Sequence, residues 1–119
     1  MSKELRMKLV TESISLKELI DMSHKMHEEL VKAVVDIDKG IMIVDVDMHV
    51  DAELELLESG SRQKNLWGIN IHPLETRENM IEFDSMINIR PSLGNRTRSV
   101  DDKEVQIKII SLVNKLVTQ

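Results

Sequence analysis

The chain has few of the residues that build disulfides, thiolate sites and aromatic stacking surfaces. Its 119 residues include no cysteine and no tyrosine, and only one tryptophan and one phenylalanine. The lack of cysteine excludes disulfide bonds and thiolate metal ligands within this sequence. Trp67 and Phe83 both lie at apolar positions of predicted strands, so we expect them in the core. Recognition of nucleic-acid bases by aromatic stacking is therefore disfavoured.

Long apolar runs and an excess of basic residues are also missing. No apolar run approaches the roughly 18 residues that span a bilayer, and residues 1–6 lack the apolar core of a signal peptide. Together with the absence of cysteine, this predicts a cytoplasmic protein without membrane contact. The net charge of −5 disfavours general nucleic-acid binding, because phosphate recognition needs a concentrated positive field.

The composition that is present is that of an ordinary globular protein. With 41% apolar and 31% charged residues, the chain is large enough to bury a real core, and we expect one domain over residues 1–119. The order of the predicted elements is β-α-β-β-α-β-β-α. It indicates an α+β fold with a mainly antiparallel sheet of about five strands and three helices on one face of that sheet.

The first half of the chain predicts a hairpin around a central strand. A nearly continuous apolar run at 30–37 is typical of a strand that is covered on both faces. Gly40 permits a tight turn, and the chain then returns as a strand over 40–48. Before this hairpin, the sequence predicts a strand over 5–10, with Leu5, Met7 and Leu9 on one face, and a helix over about 16–28. A Ser15/Glu18 capping box precedes that helix.

The second half predicts another pair of strands and two helices. Residues 66–71 and 81–90 alternate, which places their odd apolar residues on a buried face. The exposed face would carry the polar residues Asn70, Glu82, Asp84, Asn88 and Arg90. A short helix begins near Asp51 and ends at Gly60, and its predicted inner residues are Val50, Leu54 and Leu57. A capping box at Asp101 and Glu104 opens the last helix, with a buried stripe formed by Val105, Ile109, Leu112, Val113 and Leu116.

Alternating acidic residues form the first candidate site. Carboxylates and one imidazole recur at every second position, in the series Asp45, Asp47, His49, Asp51 and Glu53. On a strand, such residues share one face at spacings of about 7 Å, which suits a divalent metal such as magnesium, manganese, iron or zinc. Glu53 would then activate a metal-bound water, making the protein a metal-dependent hydrolase. The alternative is an exposed polar face without a metal.

An arginine loop at residues 90–99 forms the second candidate site. The arginine fork binds carboxylate or phosphate in bidentate fashion, and Gly94 would let the backbone amides turn toward an anion. The predicted ligand-binding residues are Arg62, Asn70, Asn88, Arg90, Arg96 and Arg98. The alternative is a solvated loop whose arginines pair with the acidic segment 36–58. The preferred hypothesis is a small non-catalytic binding protein for an anionic ligand or an acidic partner, which could also form a homodimer through an exposed strand edge.

Two blocks of sequence carry a resemblance to a known family. The first block joins residues 49–63 to Leu66-Trp67-Gly68-Ile69-Asn70, and the second joins residues 81–91 to Gly94-Asn95-Arg96. Together they resemble a family of small uncharacterised prokaryotic proteins that is described as a domain of unknown function. The resemblance implies a stand-alone single domain over nearly the whole chain. It implies no catalytic residues, since no activity is established for that family.

Overall fold

The computed structural model describes residues 7–26 and 29–119, with the side chain of Met26 left out. Its helices are α1 (Leu16–Met26), α2 (His49–Glu58) and α3 (Lys103–Leu116). Its strands are β1 (Lys8–Val10), β2 (Ile14–Ser15), β3 (Val31–Asp36), β4 (Ile41–Val44), β5 (Leu66–Ile71), β6 (Ile81–Glu82) and β7 (Val117–Thr118). The predicted α+β fold with three helices and a mainly antiparallel five-stranded sheet is confirmed.

The sheet is centred on β3, as its apolar sequence predicts. The strand order is β1-β4-β3-β5-β6, and each neighbouring pair is antiparallel. The predicted hairpin joins β3 to β4. There, the buried Asp36 carboxylate accepts the backbone N–H groups of Asp38 and Lys39, each at 2.9 Å, and Gly40 takes a φ of +70°. Strands β2 and β7 form a separate parallel pair.

Helices cover both faces of the sheet, so the prediction that they lie on one face is wrong. The odd-numbered residues of β3 belong to a core that includes side chains of α1 and α3. Val34, on the opposite face, packs in a second core with Ala52 and Leu56 of α2. The reason lies in β3 itself, because a strand that is apolar on both faces needs cover on both. Among the described residues, none of the helices is long and apolar enough to cross a bilayer.

Of the three predicted inner residues of α2, Leu57 packs against the second core, whereas the other two are exposed. Val50 and Leu54 are 38% and 51% exposed, while Ala52 and Leu56 are buried. The predicted strand over 40–48 ends early, because β4 stops at Val44 and Asp45 adopts a left-handed φ of 60°. This bend re-aims the chain before the helix starts. Apolar spacing alone therefore predicted Leu57 correctly and missed Ala52 and Leu56.

The ends of several other elements also differ from the prediction. Strand β1 begins at Lys8, buries Val10 and leaves Leu9 54% exposed. Leu5 of the predicted strand lies outside the described residues, as does the predicted helix end at residue 28. The N-cap of α3 is Asp102, whose carboxylate accepts the Glu104 N–H at 2.8 Å. The Ser15 cap is confirmed, since its Oγ accepts the Glu18 N–H at 3.1 Å. The predicted stripe of α3 faces the core.

The strand predicted over 81–90 is only two residues long, because side chains take over its hydrogen bonds. Asn88 is fully buried. Its Oδ1 accepts the Gly68 N–H at 2.8 Å, and its Nδ2 donates to the Gly68 carbonyl at 3.0 Å. The buried Arg90 donates from Nη2 to the Leu66 carbonyl at 2.8 Å, and its guanidinium lies 4.3 Å from the centre of the Trp67 ring. Asn88 and Arg90 are thus buried, although the alternating pattern predicted them on the exposed face of the strand.

Gly68 allows this irregular segment to approach β5 closely. A Cβ atom built on Gly68 would lie 2.5 Å from the Cβ of Ser85 and 3.1 Å from Cγ1 of Ile87. Neither neighbour is the free end of a long flexible side chain. A side chain at position 68 would therefore push the segment away from the sheet. It would also break the hydrogen bonds between Asn88 and Gly68.

We predict that Gly68→Ala destabilises the protein by about 1–3 kcal/mol, the usual cost of overpacking a well-packed site. Adding Ser85→Gly removes the Cβ atom that faces position 68, so the double variant should recover part of the lost stability. Urea unfolding of the two single variants and the double variant measures this coupling. Simple additivity of the two single effects would show that the close contact is not the cause.

Candidate functional site

A pocket of about 420 Å³ opens between the sheet, the start of α2 and the segment that follows β6. We call it the α2 pocket. Its polar lining residues are Lys32, His49, Asn70, Asp84, Ser85 and Arg98, and its apolar ones are Met48, Val50, Met86 and Ile87. Residues from the acidic segment and from the arginine loop therefore meet in one place.

Strand register brings the polar floor of the α2 pocket together. Lys32 of β3 is the cross-strand partner of Asn70 in β5, and Asn70 is in turn the partner of Glu82 in β6. These even-numbered positions share the face that α2 covers. The half-buried Lys32 ammonium donates to the Asp47 carbonyl at 3.2 Å, and this bond uses one of its three N–H groups.

The Asn70 amide is held in one orientation. Its Nδ2 donates to Glu82 Oε1 at 3.0 Å and to the Asp84 carbonyl at 3.4 Å. His72 Nε2 lies 3.1 Å from the same Glu82 oxygen, and the hydrogen bonds from Asn70 and His72 lower the pKa of the Glu82 carboxyl. Asn70 Oδ1 is buried and accepts no hydrogen bond in the described part of the chain.

His49 presents a neutral imidazole. Its Nε2 lies 2.8 Å from the Ile69 carbonyl, which can only accept, so Nε2 carries the hydrogen. Burial lowers the pKa of His49 below 6.5, and the bond to the Ile69 carbonyl opposes that shift only in part. The neutral form therefore dominates at pH 7, and its Nδ1 bears a lone pair.

Arg98 is the second cation of the α2 pocket. Its Nε donates to Asp84 Oδ1 at 2.6 Å, and its Nη1 lies 3.6 Å from the sulfur of Met86. The pocket thus holds two basic side chains, Lys32 and Arg98, and one carboxylate, in a chain whose net charge is −5. This local excess of positive charge suits an anion.

The predicted anion-binding residues separate into three groups. Asn70 and Arg98 line the α2 pocket, whereas Arg62 and Arg96 are exposed and lie outside its lining. Asn88 and Arg90 are bonded to the backbone of β5, as described above. The amides of the arginine loop do not turn toward an anion either: the Gly94 N–H donates to the Pro91 carbonyl, and the Arg96 N–H donates to the Asp101 carboxylate at 2.8 Å.

The predicted metal ligands do not share a strand face, because β4 ends at Val44. His49 lines the α2 pocket, and the half-buried Asp47 and Asp51 flank the start of α2. Asp45 and Glu53 are buried, and each has one carboxylate oxygen that finds no hydrogen-bond partner among the described residues. Within residues 7–26 and 29–119, no three His, Asp or Glu side chains gather where they could hold a metal ion. Metal binding by the predicted five stays a prediction.

Sequence reasoning missed several pocket residues, of which Lys32 carried a readable signal. A lysine inside a strand that is covered on both faces needs a polar environment, since burying an unpaired charge is costly. That requirement alone points to a polar cavity beside β3. Met48, Ser85 and Met86 carried no comparable signal, because their positions depend on where the chain bends after β4 and β6.

We predict that His49 makes stability depend on pH between 6.5 and its lower folded-state pKa. In that window the unfolded chain binds more protons than the folded one, so the free energy of unfolding falls as the pH falls. His49→Gln should reduce this slope in urea unfolding measured from pH 7.5 to 5. The exposed His24→Gln is the matched control and should leave the slope unchanged. An undiminished slope in His49→Gln would contradict the assignment.

A family model matches most of the chain. Residues 8–116 match the model of the DUF5674 family, described as "Protein of unknown function". No curated protein and no solved structure matches the chain. The match covers nearly all of the 119 residues, which confirms the resemblance seen in the two sequence blocks. The chain belongs to the DUF5674 family.

Proposed function

We propose that the protein is a non-catalytic binding module that holds a small anionic ligand in the α2 pocket. The observation that carries this proposal is the convergence of Lys32 and Arg98 on one pocket that contains a single carboxylate, Asp84. The volume of about 420 Å³ lies within the range of about 300–1,000 Å³ that is usual for small-molecule sites.

Both cations have donors to offer a carboxylate or phosphate. The Lys32 ammonium keeps two N–H groups beyond its bond to the Asp47 carbonyl. The ion pair with Asp84 holds Arg98 through Nε, while Nη2 of Arg98 makes no hydrogen bond to the described residues. A half-buried cation such as Lys32 is also screened less by salt than an exposed one. Charge-assisted hydrogen bonds to an oxyanion would supply the polar part of the binding energy.

The apolar side of the α2 pocket indicates that the ligand also has an aliphatic part. Met48 and Met86 stand at the mouth, 59% and 64% exposed, and Val50 and Ile87 complete this wall. Methionine side chains are flexible and adapt to irregular apolar shapes. A small branched carboxylate would place its acid at the two cations and its alkyl group on this wall.

We predict that 4-methylpentanoate, a branched carboxylate, binds the α2 pocket and that Arg98→Gln and Lys32→Met each raise its Kd about tenfold or more. A hydrogen bond to a charged group contributes about 1.5–3 kcal/mol, and about 1.4 kcal/mol corresponds to a factor of ten. Amide NMR titration measures the Kd values and locates the shifts.

Arg96→Gln is the matched control, because Arg96 lies in the same loop as Arg98 but outside the pocket lining. Its affinity should equal that of the unsubstituted protein. An equal loss of affinity in Arg96→Gln and Arg98→Gln would show that the ligand responds only to the total positive charge of the loop. Failure of 4-methylpentanoate and inorganic phosphate alike to shift pocket amides would contradict the proposal.

A metal-dependent hydrolase is the alternative, and one observation favours it. Asp45 Oδ1 and Glu53 Oε2 are buried and have no hydrogen-bond partner in the part of the chain that the structure describes, and carboxylate oxygens are suitable ligands for a cation. If this alternative holds, magnesium, manganese or zinc at 100 times its Kd raises the melting temperature by roughly 10 °C. Asp45→Asn should abolish that rise. An unchanged melting temperature with every ion rules the alternative out.

We also propose a cytoplasmic location and a homodimer that forms through a strand edge. The absence of cysteine is compatible with a reducing compartment. The sheet edges β1 and β6 have only three and two residues, which leaves little backbone for pairing with a second copy. Light scattering at increasing concentration measures the oligomeric state directly.

A further inference from the structure

We infer that the α2 pocket holds the carboxylate end of a medium-chain aliphatic acid, whose alkyl chain lies in a groove between Leu54 and Ile89. This inference rests on the proposed function and specifies the ligand class of the same site. Three observations carry it: the apolar surface continues beyond the pocket lining, both sides of the groove run in one direction, and the two cations stand at one end.

One side of the groove is a flank of α2. Val50 lines the α2 pocket, and Leu54 lies one turn further along the helix on the same side, because residues four apart are neighbours on a helix surface. Leu54 is apolar and nevertheless exposed. The apolar wall of the α2 pocket therefore extends beyond Val50 by about 6 Å, the rise of four helical residues.

The other side of the groove is the segment that follows β6. Its residues Met86–Asn88 form a single turn of 3₁₀ helix, in which residues three apart lie one above the other. Ile89 therefore continues the side on which Met86 lines the pocket, and it too is exposed. Leu57 and Ile87 both pack against the second core, so apolar side chains also lie beneath the groove.

Helix α2 runs along β5 from its middle toward its first residue. At the start of the helix, His49 is bonded to the Ile69 carbonyl. Just past the end of the helix, Ser61 Oγ donates to the Asp36 carboxylate at 2.6 Å, and Asp36 is the cross-strand partner of Leu66. Leu54 therefore lies between these two points, on the way from the pocket to Leu66.

The segment after β6 follows the same course. The Asp84 carbonyl accepts a hydrogen bond from Asn70, near the end of β5. Six residues later, Arg90 donates to the carbonyl of Leu66, the first residue of that strand. Both sides of the groove thus lead away from the pocket in one direction.

The two cations stand at the opposite end, beside Asn70. Lys32 is the cross-strand partner of Asn70, and Arg98 donates to the carboxylate of Asp84. A carboxylate held by these cations therefore places its alkyl chain along the groove and away from the charges. Positive charge at one end and apolar surface along the length suit an aliphatic acid better than a compact anion such as phosphate, which would leave the groove uncovered.

The length of the groove indicates the length of the alkyl chain. An extended chain of single bonds advances about 1.2 Å per bond, so the further 6 Å or about four helical residues accommodates about five carbon atoms. The main chain of 4-methylpentanoate, which fits the pocket itself, has five carbon atoms. Adding about five more along the groove gives an acid of the length of decanoate.

A homologous series of hexanoate, octanoate and decanoate tests the inference by titration calorimetry, with each acid below the concentration at which it forms micelles. Decanoate should bind at least about tenfold more tightly than hexanoate, because each fully buried methylene contributes up to about fourfold in affinity and the groove covers one side of the chain. Decan-1-ol has the same chain without the charge. It should bind at least about tenfold more weakly than decanoate, the effect of one hydrogen bond to a charged group.

Leu54→Gln should bring the affinity ratio of decanoate to hexanoate close to one and leave the affinity for hexanoate unchanged. Glutamine is a good helix former and position 54 is exposed, so this variant should fold normally. Leu9→Gln is the matched control, because Leu9 is equally exposed but lines a different apolar cavity of about 240 Å³ beside β1. A ratio that falls in Leu9→Gln and not in Leu54→Gln would place the chain in that cavity and overturn the inference.

A second copy of this chain is the alternative occupant of the groove. Sedimentation velocity of the ligand-free protein should give the same mass for Leu54→Gln as for the unsubstituted protein. A dimer that dissociates in Leu54→Gln would show that the groove is a contact between copies, and would overturn the inference.

The outcomes separate this inference from the proposed function. Equal affinities for hexanoate and decanoate overturn the inference and leave the anion-binding function in place, since the short acid still binds the pocket. Decan-1-ol that binds as tightly as decanoate also overturns the inference, and 4-methylpentanoate then decides the proposed function by itself. Failure of all these acids to bind, 4-methylpentanoate included, overturns the inference and also removes the support that a carboxylate ligand would give to the proposed function.

Discussion

The hydrogen bonds between the Asn88 side chain and both backbone groups of Gly68 are the interaction on which the rest of the structure depends. A carboxamide carries a donor and an acceptor, as a peptide group does, so it can continue the ladder of β5 after β6 ends at Glu82. The sheet edge is therefore satisfied without a longer strand. The chain after Glu82 is released from strand geometry and folds across the face that α2 covers.

That release is what creates the α2 pocket. The freed segment supplies Asp84, Met86 and Ile87 to its wall. The Nδ2 of Asn88 also donates to the Arg98 carbonyl at 2.9 Å, so the amide that completes β5 also positions the backbone of the pocket's second cation. A residue that looks purely structural by its burial thus shapes the α2 pocket.

Periodicity correctly predicted the elements whose contacts are local. It failed where a residue far away in the sequence determines whether a side chain is buried or exposed. The β3–β4 hairpin and the apolar stripe of α3 follow from spacing within one segment, and both were correct. The alternation through residues 81–90 could not distinguish a polar side chain that faces water from one that replaces a strand. Asn88 and Arg90 are of the second kind, and their partners, Gly68 and Leu66, lie 20 and 24 residues away. Likewise, no spacing rule reveals the left-handed Asp45 that re-aims α2.

For the site, residue types were predictable and their grouping was not. His49 was assigned to a metal site and Arg98 to an anion loop, but the fold brings both to the pocket above Asn70. The missing information was the β3–β5 register, which sets Lys32 opposite Asn70. That register also bears on the proposed function, in which a chain of net charge −5 holds an anion. Its overall field repels a negative ligand at a distance, so the proposed attraction acts at short range. Its main source is Lys32, a half-buried cation of β3, because Coulomb interactions are stronger and less screened away from water.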